Sequence, residues 1–229
     1  VKRLSIGETV NRIAEGGIIP VVRAANFDEA AQAVDAIYAG GISIMEVTMT
    51  VPNAVAVIRR VVQEYGDRIL TGAGTVLTAQ QAEECIDAGA QFLVSPGLSL
   101  EVLSVAKARH VLAIPGVLTP TEVMSALQAG SMLVKVFPCG SVGGPKYLKA
   151  LQGPFPQLSM IPTGGVNAAN AADYISAGAF ALGIGGDLVD TVAIRSGNAG
   201  KITAAAKELV LAVRHARENR SEVVGSALR

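Results

Sequence analysis

Apolar residues in this chain follow two alternating rhythms. Short runs are apolar almost throughout, as in Ile18-Ile19-Pro20-Val21-Val22 and Met132-Leu133-Val134. Longer stretches return an apolar residue every three or four positions. The first rhythm suits strands buried on both faces of a parallel sheet, and the second suits amphipathic helices. Strands are predicted over residues 18–23, 42–47, 68–72, 92–95, 111–114, 132–137, 159–163 and 180–184. Helices are predicted over 28–39, 53–65, 79–88, 100–109, 121–129, 145–151, 168–177 and 201–217, with an extra helix over 4–15 ahead of the first strand.

A repeat organises the series. Ala39-Gly40, Ala88-Gly89, Ala129-Gly130 and Ala177-Gly178 each close a helical stretch just before an apolar run, at spacings of 49, 41 and 48 residues. Glycine supplies the left-handed conformation that stops a helix. One strand–helix unit takes about 30 residues, so most periods hold two units. Eight such units predict an α/β fold of the (β/α)8 TIM-barrel type, with a doubly wound open sheet as the competing architecture. The chain reads as one domain over residues 1–229, with an N-terminal helix within 1–16 at the barrel bottom and a polar, frayed tail over 218–229.

Composition narrows the function. Half of the 229 residues are hydrophobic, and the 19 Lys plus Arg balance the 19 Asp plus Glu. High hydrophobicity and low charge exclude a disordered chain. Zero net charge argues against nucleic-acid binding, which needs a basic face. Two cysteines exclude a disulfide scaffold. No apolar stretch reaches the roughly 18 residues of a membrane span, and the first residues show no secretory pattern, so a cytoplasmic protein without membrane partners is expected. His110 and His215 are the only histidines, which makes a histidine-based metal site or triad improbable.

Barrel active sites lie at the C-terminal ends of the strands. Two charged residues stand inside apolar strands, Glu46 in Ile44-Met45-Glu46-Val47 and Lys135 in Val134-Lys135-Val136. Burying either is costly unless it is paired or neutral. Burial favours a neutral lysine amine, the form a Schiff-base nucleophile needs, and a protonated carboxyl suited to acid–base work. The bland alternative is that the two neutralise each other across the barrel, or that the lysine head reaches a rim. Thr163-Gly164-Gly165 and Gly185-Gly186 follow the last two strands, where barrels often bind phosphate through backbone N–H groups. Plain tight turns would leave the same pattern, and Asp187 would repel a phosphate. Cys85 and Cys139 read as core residues.

Taken jointly, several motifs resemble the bacterial 2-keto-3-deoxy-6-phosphogluconate (KDPG) aldolase / 4-hydroxy-2-oxoglutarate (KHG) aldolase family over residues 10–190. They are Ile19-Pro20-Val21-Val22-Arg23, Glu46-Val47-Thr48, Gly72-Ala73-Gly74-Thr75-Val76, Ser95-Pro96-Gly97, Pro115-Gly116-Val117, Lys135-Val136-Phe137-Pro138 and Pro162-Thr163-Gly164-Gly165-Val166. The resemblance implies a class I aldolase on a (β/α)8 barrel, with no metal or other cofactor, usually a homotrimer, acting on a small 2-keto acid. It assigns the Schiff-base lysine to Lys135 and the general acid/base to Glu46. It assigns the pyruvyl carboxylate to Thr75 with the backbone near Gly74, and a further substrate contact to Arg23. Thr163, Gly164, Gly165, Gly185 and Gly186 match the phosphate loops, and Thr48, Thr50, Pro96 and Phe137 are expected to line the same site.

Two positions depart from the family pattern. The best-known members carry an arginine where this chain has Thr50, and a serine where it has Gly186 or Asp187. The carboxylate is then left to Thr75, Gly74 or Arg23, and an unphosphorylated 2-keto acid becomes a candidate substrate. The competing readings are a phosphosugar epimerase or synthase on the same barrel, a metal-dependent pyruvate aldolase, and a non-catalytic binder.

Overall fold

The computed structural model describes the backbone of residues 2–227 and the side chains of residues 2–220. Helix α1 (Ile6–Gly16) is followed by β1 (Ile18–Val22), α2 (Phe27–Ala39), β2 (Ile44–Thr48), α3 (Ala54–Tyr65), β3 (Leu70–Gly74), α4 (Ala79–Asp87), β4 (Phe92–Val94), α5 (Leu100–Ala108) and β5 (Leu112–Ile114). The second half continues with β6 (Gly116–Val117), α6 (Pro120–Gln128), β7 (Leu133–Val136), α7 (Pro145–Gln152), β8 (Ser159–Pro162), α8 (Ala171–Ser176), β9 (Leu182–Ile184), α9 (Thr191–Arg195) and α10 (Gly200–Ala227).

All strand pairs are parallel, in two ladders, β5-β4-β3-β2-β1-β9 and β6-β7-β8. Two links close them into a barrel. An isolated bridge pairs Thr163, just past β8, with Gly183 of β9. On the other side β5 and β6 are one strand interrupted at Pro115, which has no N–H to give the ladder. Ser95 N–H donates to the Ile114 carbonyl, and Lys135 N–H to the Pro115 carbonyl. The barrel therefore has eight strand positions, as the repeat predicted.

Alternation along the strands separates two cores. Val22, Met45, Val47, Leu93, Val134 and Val136 face the helices. Ile19, Ile44, Leu70, Phe92, Leu112, Leu133 and Ile161 fill the lower barrel interior, and Ile13 of α1 packs with them as a plug. Inward positions toward the C-terminal ends turn polar or small: Glu46 and Thr48 on β2, Gly72 and Gly74 on β3, Lys135 on β7, Thr163 after β8 and Gly183 on β9. The floor is thus apolar and the mouth polar.

Several predicted boundaries shift. The second and third strands begin later than read, because Ile42 closes the turn by donating to the Ile37 carbonyl and Arg68 ends a 3-10 turn. The left-handed helix stop of the first repeat is Gly41 (φ 96°), whereas Gly40 keeps a helical φ of −82°. Helix α8 starts at Ala171, since Asn170 Oδ1 ties up the Asn167 N–H in a preceding turn. Helix α9 is too short to leave a periodic signal. Helix α10 runs past the predicted end at Arg217, into the polar segment expected to fray.

Candidate active site

The inward alternation of β2 and β7 aims two ionisable side chains at each other. Lys135 Nζ lies 3.6 Å from Glu46 Oε1, and the residues are 3% and 2% exposed. At that distance the contact is an ion pair without a hydrogen bond, and Oε1 has no hydrogen-bond partner among the described residues. A buried pair of this kind is a poor source of stability, because desolvation offsets the attraction. Its unmet hydrogen-bonding capacity is what a reacting polar group would use. The face of Phe137 lies 5.3 Å from Lys135 Nζ, a cation–π contact that walls the amine on one side.

Gly74 makes room for the carboxylate. A β-carbon there would collide with Glu46 Oε1, Cδ and Cγ. Gly72 does the same for the Phe92 ring one layer lower, and Gly183 for the Thr163 hydroxyl. Thr75 follows with φ 55°, a left-handed conformation unfavourable for a β-branched residue. Met49 N–H to the Gly74 carbonyl and Val76 N–H to the Val94 carbonyl hold the strand on either side of it. Strain so tightly enclosed next to an ionisable pair marks a residue whose position matters to the site.

At the mouth of β2, Thr48 Oγ1 donates to the Val22 carbonyl (3.0 Å) and lies 2.7 Å from Thr50 Oγ1. Thr48 is buried and Thr50 exposed. Arg23 is exposed at the end of β1, with no side-chain hydrogen bond or ion pair to a described residue. The carbonyl of Pro96 packs on the Cα side of Gly116, so Pro96 is a rim residue, with the Ser95 hydroxyl bonded to the Gly97 carbonyl.

The glycine loops gather beside Thr163. Gly164 and Gly165 have φ of 87° and 77°. Their carbonyls accept from Gly140 N–H and Asn170 Nδ2, while Gly185 accepts from the N–H groups of Leu188 and Val189. Among the described residues the N–H groups of Gly164, Gly165, Gly185 and Gly186 have no protein acceptor, which leaves them free for an anion. Asp187 stands exposed next to them. Sequence reasoning missed Gly140: a β-carbon there would strike the Gly164 carbonyl, so it docks the β7 loop onto the β8 loop. The run Gly140-Ser141-Val142-Gly143-Gly144 just after the lysine strand was the available signal.

Other candidates stay structural. Cys85 and Cys139 are fully buried, and burial pushes their thiols up to about 12 and about 11. His110 and His215 are exposed. A cleft of about 640 Å³ between Val76-Leu77 and residues 95–101 opens at the same end of the barrel, but neither Lys135 nor Glu46 lines it.

The family model for KDPG and KHG aldolase matches residues 9–205. The chain belongs to the KDPG and KHG aldolase family. It is 39% identical over 199 residues to the KHG/KDPG aldolase of Escherichia coli (strain K12), covering 86% of this chain and 92% of that one. A KDPG aldolase from Legionella pneumophila, solved with pyruvate captured as a covalent carbinolamine, superimposes with a TM-score of 0.82 at 34% identity, covering 88% of this chain and 97% of that one. A KDPG aldolase of Zymomonas mobilis ZM4, solved with 3-phosphoglycerate, gives 0.75 at 32% identity, covering 89% and 94%. Membership makes the chain an aldolase, a carbon–carbon lyase, and decides against the epimerase or synthase reading. Among the described residues no helix is long and apolar enough to cross a membrane.

Proposed function

We propose that this aldolase cleaves a 4-hydroxy-2-keto acid, of the 2-keto-3-deoxy sugar acid class, to pyruvate and an aldehyde, through a Schiff base on Lys135. The observation that carries the reading is the buried Lys135–Glu46 pair, in which Glu46 Oε1 faces the amine but makes no hydrogen bond among the described residues. The carbinolamine of pyruvate in the Legionella relative is the same chemistry on a related barrel.

The steps follow from the geometry. Glu46, 3.6 Å away, is the base within reach of the Lys135 amine. Glu46 takes a proton from the Lys135 ammonium, the neutral amine attacks the C2 ketone to give a carbinolamine, and Glu46 returns that proton to the departing hydroxyl, so that water leaves and an iminium and a free Glu46 carboxylate remain. Glu46 takes the proton of the C4 hydroxyl as the C3–C4 bond breaks. The electron pair of that bond flows into the iminium to form an enamine, and the aldehyde departs. Protonation at C3 and hydrolysis release pyruvate and the amine. Thr75 and the backbone at Gly74 hold the C1 carboxylate, with Arg23 the available cation at the mouth. The open N–H groups of Gly164, Gly165, Gly185 and Gly186 receive the far end of the substrate.

We read the protein as a cytoplasmic enzyme of one barrel domain that assembles as a homotrimer. Leu77 and Leu100, 53% and 63% exposed beside the 640 Å³ cleft, supply apolar surface for such a contact. Light scattering checks the assembly. For the chemistry, borohydride with pyruvate should attach a reduced three-carbon adduct to Lys135, and coupled lactate dehydrogenase should report pyruvate release from a panel of 2-keto-3-deoxy acids. An unmodified Lys135 under conditions of turnover sinks the Schiff-base reading.

A further inference from the structure

We infer that Glu29 is a positioning residue that holds Arg23 ready for the substrate's C1 carboxylate, by fixing the turn after β1 and tying it through Arg195 to the helix after the β9 glycine loop. This rests on the aldolase reading above.

Glu29 does more than cap α2. A glutamate at the third helical position usually returns to the N-cap N–H and stays in solvent, as Glu8 does at Ser5. Glu29 takes that position behind the N-cap Asn26, whose Oδ1 accepts from Glu29 N–H at 2.9 Å. Its carboxylate reaches one residue further back. Oε2 accepts from Ala25 N–H at 3.3 Å, and Oε1 accepts from Asn26 Nδ2 at 3.3 Å. Glu29 is only 8% exposed. A carboxylate so far out of water needs a countercharge. Arg195 supplies it, with Nη1 3.4 Å from Oε2.

These contacts join two loops at the barrel mouth. Ala25 lies two residues after Arg23, so its anchored N–H sets where the arginine leaves the strand. The Arg23 side chain is exposed, and its root decides its reach. Holding that root lowers the entropy lost when a flexible cation closes on a carboxylate. Arg195 ends α9, which packs on α2. The glycine loop runs into α9 through N–H bonds from Leu188 and Val189 to the Gly185 carbonyl, and Asp190 caps α9 by accepting from Ala193 N–H. Among the described residues Glu29–Arg195 is the ion pair that joins α2 to α9.

Pyruvate is the probe, because it carries the carboxylate and the ketone and nothing beyond C3. The half-saturating pyruvate concentration for borohydride trapping on Lys135 reads carboxylate binding, and the maximal trapping rate reads the amine chemistry. Glu29→Ala should raise the half-saturating concentration about tenfold and change the maximal rate less than about twofold. Glu29→Gln keeps an acceptor for Ala25 N–H and loses the charge, and Arg195→Ala loses the countercharge, so each should give a smaller rise. Arg195→Lys should stay near wild type. If Glu29→Ala does not fold, Glu29→Gln and Arg195→Ala make the same comparison. Arg23→Ala should raise half-saturation at least as much as Glu29→Ala, and adding Glu29→Ala to it should change nothing more, since Glu29 acts through Arg23. Additive rises in the double variant, normal pyruvate binding in Arg23→Ala, or a lowered melting temperature with unmoved half-saturation in the Glu29 variants overturns the inference. An untrapped wild type would overturn the aldolase reading instead.

Discussion

Gly74 and Glu46 compete for the same space, and the glycine yields it. A β-carbon at position 74 would overlap the carboxylate that faces Lys135. The left-handed region is not involved, so the constraint is one of room and not of backbone freedom. Gly74→Ala should leave the strand paired and push the Glu46 carboxylate off its position. Overpacking of this kind costs about 1–3 kcal/mol, and here the loss should fall mainly on turnover. We expect kcat to drop at least tenfold while pyruvate is still trapped on Lys135. Equal activity to wild type would show that the carboxylate has slack.

Glu46→Gln separates acid–base work from charge pairing. General acid–base catalysis contributes about 10²–10⁴-fold, so kcat should fall by that order. Removing one partner of a buried pair should also destabilise the fold, by about 3 kcal/mol. Circular dichroism and thermal melting read the second effect, and single-turnover cleavage reads the first. Lost stability with full turnover would leave Glu46 a charge partner only.

Much of this site was legible because it is written in rule-breaking residues. Lys135 and Glu46 stand out in the sequence as charges inside apolar strands, and parallel-strand alternation then turns both inward. The glycine loops were legible as types but not as contacts. That Gly72 admits the Phe92 ring and Gly140 the Gly164 carbonyl depends on distances between elements far apart in the chain, which no local pattern carries. The interruption at Pro115 follows from proline chemistry, yet its consequence, one strand serving two ladders, appears only once β4 and β7 flank it.

Asp187 should weaken binding of a phosphorylated substrate. It is exposed beside the free N–H groups of Gly185 and Gly186, where it opposes an incoming dianion. Charges about 4 Å apart near a surface interact by roughly 1–4 kcal/mol, reduced by salt. Asp187→Ser removes the repulsion and adds a donor. The ratio of kcat/KM for 2-keto-3-deoxy-6-phosphogluconate over its unphosphorylated form should rise about tenfold, more at low ionic strength. A ratio that stays constant would place the phosphate elsewhere.

Thr71 offers stability without touching chemistry. It is 1% exposed on β3, and its hydroxyl has no hydrogen-bond partner among the described residues. An unsatisfied buried hydroxyl costs about 1–3 kcal/mol. Thr71→Val keeps the shape and the β-branch. Urea denaturation should show a gain of about 1 kcal/mol, with kcat unaltered. A loss of stability would mean that the hydroxyl has a bound partner such as water.

The capping box of α6 gives a stability term with a definite pH sign. Glu122 accepts from the N–H groups of Thr119 and Leu118, and these bonds hold its carboxyl below the ordinary value of 4.5. A folded-state value lower than the unfolded one means that stability is gained above the unfolded value. It is lost as pH falls through the folded one. Glu122→Gln keeps an acceptor for the same N–H groups but removes the charge at the helix N-terminus. Being solvent-exposed, that charge is worth a few tenths of a kcal/mol. Wild type should therefore be slightly more stable than Glu122→Gln at pH 7, and the gap in urea midpoint should narrow as pH falls below 4.5 and through the lower folded-state value. A gap that widens on acidification would mean that the unfolded state, not α6, holds the more acidic form of Glu122.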